Sequence, residues 1–140
     1  MARVWKGRRS VLVVELDWPH RDLSPNSRKH WANKAKKAKL ARQAAFLLTK
    51  QRLAQIHLTI ARESKQLQIG LAFYPKDKRH YDLDNLIARM KSSLDGIADA
   101  LCVNDRKFGY GQITLEAAQK PGKVIVTVQE RNSSIDAGLK

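Results

Sequence analysis

The first patterned stretch is Val11–Leu16, a short run rich in β-branched residues, and it predicts a buried strand. Asp17–Asn26 contains Pro19 and Pro25 with the turn formers Asp22 and Asn26, so it is expected to be a loop. Ser27 is placed to cap a helix that begins near Arg28. In that helix Trp31, Ala35, Ala38, Ala41, Ala45 and Leu48 recur in steps of three and four. They form one apolar stripe that is expected to face the protein, with the lysines mostly off it. Leu53–Ser64 fits two readings: Ile56, Leu58 and Ile60 alternate like a strand, yet the segment could extend the helix. Leu67, Ile69, Leu71 and Phe73 alternate strictly and predict a strand that Pro75 ends. Lys76–Tyr81 reads as a basic loop. A second helix is expected from Asp84 or Asn85, with Leu86, Met90, Leu94, Ile97 and Leu101 as its stripe and Gly96 placed to weaken or end it. Tyr110–Glu116 and Val124–Val128 predict two further strands, joined by a turn at Lys120–Lys123. The order β-α-β-α-β-β predicts a single α/β domain over residues 1–130, with a mixed sheet and two main helices. Residues 131–140 form a polar tail.

Composition narrows the function classes. The 140 residues suit one domain, and a hydrophobic share of 43% is too high for wholesale disorder. No run of 18 apolar residues exists, so no membrane span is expected, and the basic start is read as leading into a strand rather than as a signal peptide. The single cysteine, Cys102, rules out an internal disulfide and suits a reducing cytosol; its apolar surroundings predict a core thiol. Lys and Arg number 27 against 13 Asp and Glu, a formal charge of +14, which points to a polyanion and most simply to nucleic acid. The charge is uneven. Leu23–Arg62 holds ten Lys and Arg and no acid, while ten of the thirteen acids lie from Glu63 onward. Arg28, Lys29, Lys34 and Lys37 in the basic helix, Lys76, Lys78, Arg79 and His80 in the loop, and Arg106 and Lys107 are therefore the candidate phosphate contacts.

The acids that remain despite this charge are the candidate chemistry. Asp82-Leu83-Asp84-Asn85 sets two carboxylates one residue apart, and in extended backbone they project to the same side. Carboxylates that close repel unless a cation sits between them, and a hard divalent cation such as Mg²⁺ takes oxygen ligands. The same aspartates also suit a helix N-cap, and the two roles are compatible. Lys91 lies seven residues past Asp84 and Asp95 eleven past it, which in one straight helix puts both within about 20° of Asp84. Lys91 could neutralise charge building up on a phosphate, or form an ordinary i,i+4 ion pair with Asp95. Asp105 stands in a turn-like stretch flanked by cations. A helix from Asn85 to Ala100 would be about 24 Å long. Asp105 would then join Asp82 and Asp84 only if the helix ended near Gly96 and the chain folded back, or if a second subunit supplied it.

These residues resemble a known family. Asp82-Leu83-Asp84-Asn85-Leu86, Lys91, Leu94-Asp95-Gly96 and Asn104-Asp105 resemble the RusA family of Holliday junction resolvases. Leu23-Ser24-Pro25-Asn26 with His30-Trp31-Ala32 is similar to its prophage-type members. The similarity runs from about Val11 to Val128. It implies a RusA-like fold and a cytoplasmic, bacterial or phage-encoded crossover junction endodeoxyribonuclease. Such an enzyme depends on Mg²⁺, with Mn²⁺ as a substitute, and uses no organic cofactor. It acts as a homodimer that cuts a four-way DNA junction by paired symmetric nicks during recombination and repair. It also implies that Asp82, Asp84 and Asp105 hold the metal, with Lys91 as the catalytic lysine. Two positions depart from the family pattern. The best-known form has lysine four residues after the second aspartate, where this chain has Ala88, and often an acid where this chain has Asn104. The alternative, which composition alone favours, is a non-catalytic basic nucleic-acid-binding protein; a junction-binding relative that does not cut is a further form of it.

Overall fold

The strictly alternating segments become the sheet. A computed structural model of the protein describes residues 11–25, 30–56 and 66–130. Its strands are β1 (Val11–Asp17), β2 (Leu67–Tyr74), β3 (Phe108–Leu115) and β4 (Lys123–Glu130), in the spatial order β1-β4-β2-β3. β4 runs antiparallel to both β1 and β2, and β3 runs parallel to β2, so the sheet is mixed. One face carries Leu12 and Val14 of β1, Leu67, Ile69, Leu71 and Phe73 of β2, and Val124, Val126 and Val128 of β4, all buried. Burial of each such side chain contributes roughly 1.5–3 kcal/mol, so this face organises the domain.

Three helices cover that face: α1 (Trp31–Ile56), α2 (Leu83–Arg89) and α3 (Lys91–Leu101). Leu86, Met90, Leu94, Ile97 and Leu101 are all buried, as their spacing predicts. The single domain with a mixed four-stranded sheet is the α/β architecture expected from the element order.

Several local expectations change. The second helix is two helices, because Met90 (φ −86°, ψ −4°) interrupts it. Gly96 neither weakens nor ends α3. It is where α1 crosses: a Cβ at Gly96 would run into the Arg42 carbonyl oxygen and lie 3.1 Å from the Ala45 methyl. That crossing also explains α1. Only Ala45 of the expected stripe is fully buried, while Trp31 is 74% exposed and Ala35 and Leu48 are exposed too. A 26-residue helix is about 39 Å long, whereas an eight-residue strand spans about 27 Å, so the ends of α1 overhang the layer. β3 and β4 are not a hairpin pair. β2 lies between them, and the chain steps across its end, with the Glu116 N–H donating to the Phe73 carbonyl and the Gln119 N–H to the Pro75 carbonyl. Cys102 is exposed rather than in the core, because it is the left-handed residue (φ 59°) that ends α3. The expected cap Ser27, the stretch after Ile56 up to Ser64 and the tail 131–140 lie outside the described residues.

Candidate functional site

Asp82 starts the site as the N-cap of α2. Its backbone is extended and its Oδ1 accepts the Asp84 N–H at 3.0 Å. Asp84 is in the first turn of α2, so the two aspartates do not share one extended segment. Both are exposed, with their charge at the positive end of the helix. Asn85 turns the other way. Its Oδ1 accepts the Ser24 hydroxyl at 2.6 Å, which ties the loop before α1 to the start of α2. Spacing could not reveal this bond, although both residues sit in the motifs that carry the family resemblance.

The break at Met90 ends the ridge expected from Asp84 onward, but the remainder of that ridge forms within α3. The Lys91 ammonium donates to Asp95 Oδ1 at 3.0 Å and to Asp105 Oδ2 at 2.9 Å. Asp105 therefore folds back within its own chain without an early end to α3. After Leu101 the left-handed Cys102 reverses the backbone, and the Val103 N–H donates to the Ala98 carbonyl at 3.1 Å. Asn104 Oδ1 then accepts the Arg106 N–H at 2.9 Å and caps the short 3-10 turn Asp105–Lys107. Asn104 thus serves to present Asp105. The contact holds the Asp105 carboxyl below the usual range, chiefly through its hydrogen bond with Lys91. Asp105 and then Asp95 raise the Lys91 pKa in turn.

Asp82 and Asp84 remain apart from this trio. Among the described residues no hydrogen bond or ion pair joins them to Lys91, Asp95 or Asp105. No group of three His, Cys, Asp or Glu side chains that could hold a metal forms among the described residues either. Two neighbours were not foreseen. Tyr110, on the edge strand β3, is 56% exposed and feels the Lys91 charge, although burial of its ring still raises its pKa. Arg42 of α1 holds Asp99 through two bonds, of 2.7 and 3.0 Å, and tethers the basic helix to α3.

The basic candidates are spread over several elements. Lys34 and Lys37 are half-buried on α1, and Lys76, Lys78, Arg79, His80 and Arg106 are exposed, with Lys107 half-buried. Arg79 is already paired with Asp77 at 3.2 Å, and Asp77 also accepts the Tyr81 hydroxyl at 2.9 Å. Arg28 and Lys29 lie outside the described residues. Trp31 stacks on His30, with ring centroids 5.8 Å apart. No helix among the described residues is long and apolar enough to cross a membrane.

Fold and site define a small, strongly basic α/β domain in which Asp82 and Asp84 open α2 and Asp105 follows α3. The chain is 35% identical over 122 residues to an uncharacterized protein of Xylella fastidiosa, covering 87% of this chain and 78% of that one. It belongs to that protein's family. No established protein-family profile matches the chain.

Proposed function

We propose that the protein is a metal-dependent, structure-selective DNA endonuclease of the RusA type, a cytoplasmic homodimer that resolves four-way junctions. The observation that carries this reading is the meeting of Lys91 and Asp105 at 2.9 Å across fourteen positions of chain. These are two of the four residues that the motif resemblance assigns to catalysis. A basic binding module has no need to bring an acid back across the chain to a lysine.

A hard divalent cation fits the donor chemistry at Asp82 and Asp84, where carboxylate oxygens are exposed. Asp105 supplies the third such donor in this reading, and here it is held by Lys91. When bound, the cation polarises the phosphoryl oxygen and activates the attacking water. The chain's own residues do the rest. Lys91 stays protonated through neutral pH because two carboxylates hold it, so its ammonium is available to oppose charge that builds up on the phosphate. Lys76, Lys78 and Arg106 contact the backbone of the branched DNA, which fixes position without reading sequence.

One observation favours a second reading, a junction binder that does not cut: the Asp105 carboxylate is already engaged by Lys91. A labelled four-way junction, incubated with Mg²⁺ or with EDTA beside a linear duplex, separates the two. Paired symmetric nicks on the junction alone, and only with metal, are expected. Asp82→Asn keeps a capping oxygen for the Asp84 N–H and removes the charge, so it should fold, bind the junction and lose cleavage. Equal cutting by this variant and the wild type would refute the mechanism.

A further inference from the structure

A cavity of about 250 Å³ opens between α1, the loop that follows β1, and the start of α3. Trp18, Leu40 and Leu48 wall it, and the small side chains of Ala41 and Ala44 leave the space. Leu40 is 52% and Leu48 38% exposed, so two leucines of a basic helix stay open to solvent here. The cavity also holds a polar group without a partner. Ser93 lines it and is 8% exposed, and among the described residues its hydroxyl makes no hydrogen bond. A buried hydroxyl in that state costs free energy until something bonds it.

The cavity lies between the basic helix and the aspartates. Along α1, Leu48, Ala44, Ala41 and Lys37 follow one another at steps of four, three and four, and Lys34 lies three residues further on the same face. The wall therefore passes from leucine to lysine towards the start of the helix. On the other side the Trp18 ring meets the Tyr81 ring edge-on, with centroids 5.1 Å apart, and Tyr81 precedes Asp82.

We infer that this cavity takes one unstacked nucleobase from a DNA strand whose phosphates lie on Lys34 and Lys37. Three features select that occupant. A base is a flat ring with an apolar face and a hydrogen-bonding edge, which matches an indole and leucine wall that ends on a free hydroxyl. The volume falls a little below the roughly 300–1,000 Å³ of sites for drug-sized ligands, so it suits a single heterocycle. The phosphate stays outside, because Asp17 also lines the cavity and repels it, whereas the Asp17 carboxylate accepts from the exocyclic amine of a base. The inference deepens the nuclease reading and rests on its DNA-binding part, but it needs neither metal nor cleavage.

The test uses the full chain in EDTA with two short single strands, one of ordinary deoxynucleotides and one abasic throughout, with the same number of phosphates. The wild type should bind the first at least about fivefold more tightly, the lower end of what stacking one base contributes. Ala44→Phe, at an exposed position of α1, fills the cavity from outside. It should bring the base-bearing strand down to the affinity of the abasic one and leave abasic binding unchanged, which also shows that the variant is folded. Leu47→Phe, exposed and outside the cavity, should keep the difference. A strand carrying 5-iodocytosine, irradiated with the wild type, reports the ring beside the base independently of any variant. The adduct should map to Trp18 or His20, both of which line the cavity. Equal binding of the two strands, binding of neither, a difference that survives Ala44→Phe, or an adduct on the exposed Trp31 alone would overturn the inference. None of these outcomes bears on the junction assay with Mg²⁺, which tests the nuclease reading separately.

Discussion

α3 and α1 lie in the same layer on the same sheet, yet they are built on different terms. α3 has eleven residues and buries seven of them, Gly96 and Ile97 among them. α1 has twenty-six residues, and of those whose side chains are described only Ala45 and Thr49 are fully buried. Thr49 turns its hydroxyl onto the Ala45 carbonyl at 2.7 Å, so even this inner polar group is satisfied within the helix. α3 is thus part of the core, and its polar side chains serve the site. α1 is fastened at one crossing, around Ala45, Gly96 and the Arg42–Asp99 pair, and keeps most of its length for other contacts. In one small domain, the buried core contacts fall on one of the two helices and most of their exposed cations on the other.

The comparison breaks first under truncation of core side chains. Ile97 is fully buried, and Ile97→Ala should destabilise the fold by about 3–4 kcal/mol through lost burial and the cavity left behind. Leu47, 64% exposed on α1, should lose less than about 0.5 kcal/mol on the same change. Chemical denaturation of both variants checks this. Equal losses would mean that α1 is held along its length.

The crossing itself comes next. Gly96→Ala adds one methyl against the Arg42 carbonyl, a backbone atom with little room to give. A loss of about 2 kcal/mol is expected, the usual scale of an overpacked contact. The same change at Gly109, where an added Cβ would meet nothing within 4 Å, is the control. If Gly96→Ala were as mild as Gly109→Ala, α1 would not be pinned at this point.

These two helices also show where the sequence could be read and where it could not. The α3 stripe was legible because Leu86, Met90, Leu94, Ile97 and Leu101 keep one helical period even across the interruption at Met90. Strands β2 and β4 were legible for the same kind of reason, one face being wholly apolar. α1 misled because small alanines at regular steps satisfy a stripe pattern whether or not anything covers them. Gly96 looked like a helix breaker because a local pattern carries no information about a helix passing overhead. The neighbours of β2 were not readable either, since a turn at Pro121–Gly122 is compatible with a hairpin and with a step across an intervening strand. At the site, Asp82, Asp84 and Asp105 stood out as acids in a basic chain, together with Lys91, in phase with Asp95. What stayed hidden was distance: that Cys102 reverses the chain so that Asp105 reaches Lys91, and that Tyr110 comes up beside them.

The smallest expected effect sharpens the comparison where α3 meets the site. Lys91→Met keeps the length of the side chain and removes the ammonium. The Asp105 carboxyl, now held low by Lys91, should rise toward the ordinary aspartate value of about 3.9. A depressed carboxyl pKa stabilises the fold above the unfolded-state pKa, and that contribution disappears as pH falls through the folded value. A raised lysine pKa stabilises below its unfolded value and fails as pH climbs through the folded one. Wild type and Lys91→Met should therefore differ most between about pH 4 and pH 10, near the two unfolded-state values, and converge at both ends. The difference is small because both side chains are largely exposed to water. Carbon-detected titration of the Asp105 carboxyl reads the shift directly. If Asp105 titrates at the same pH in both proteins, the 2.9 Å contact is not held in solution, and α3 does not bind the site together as its buried face binds the core.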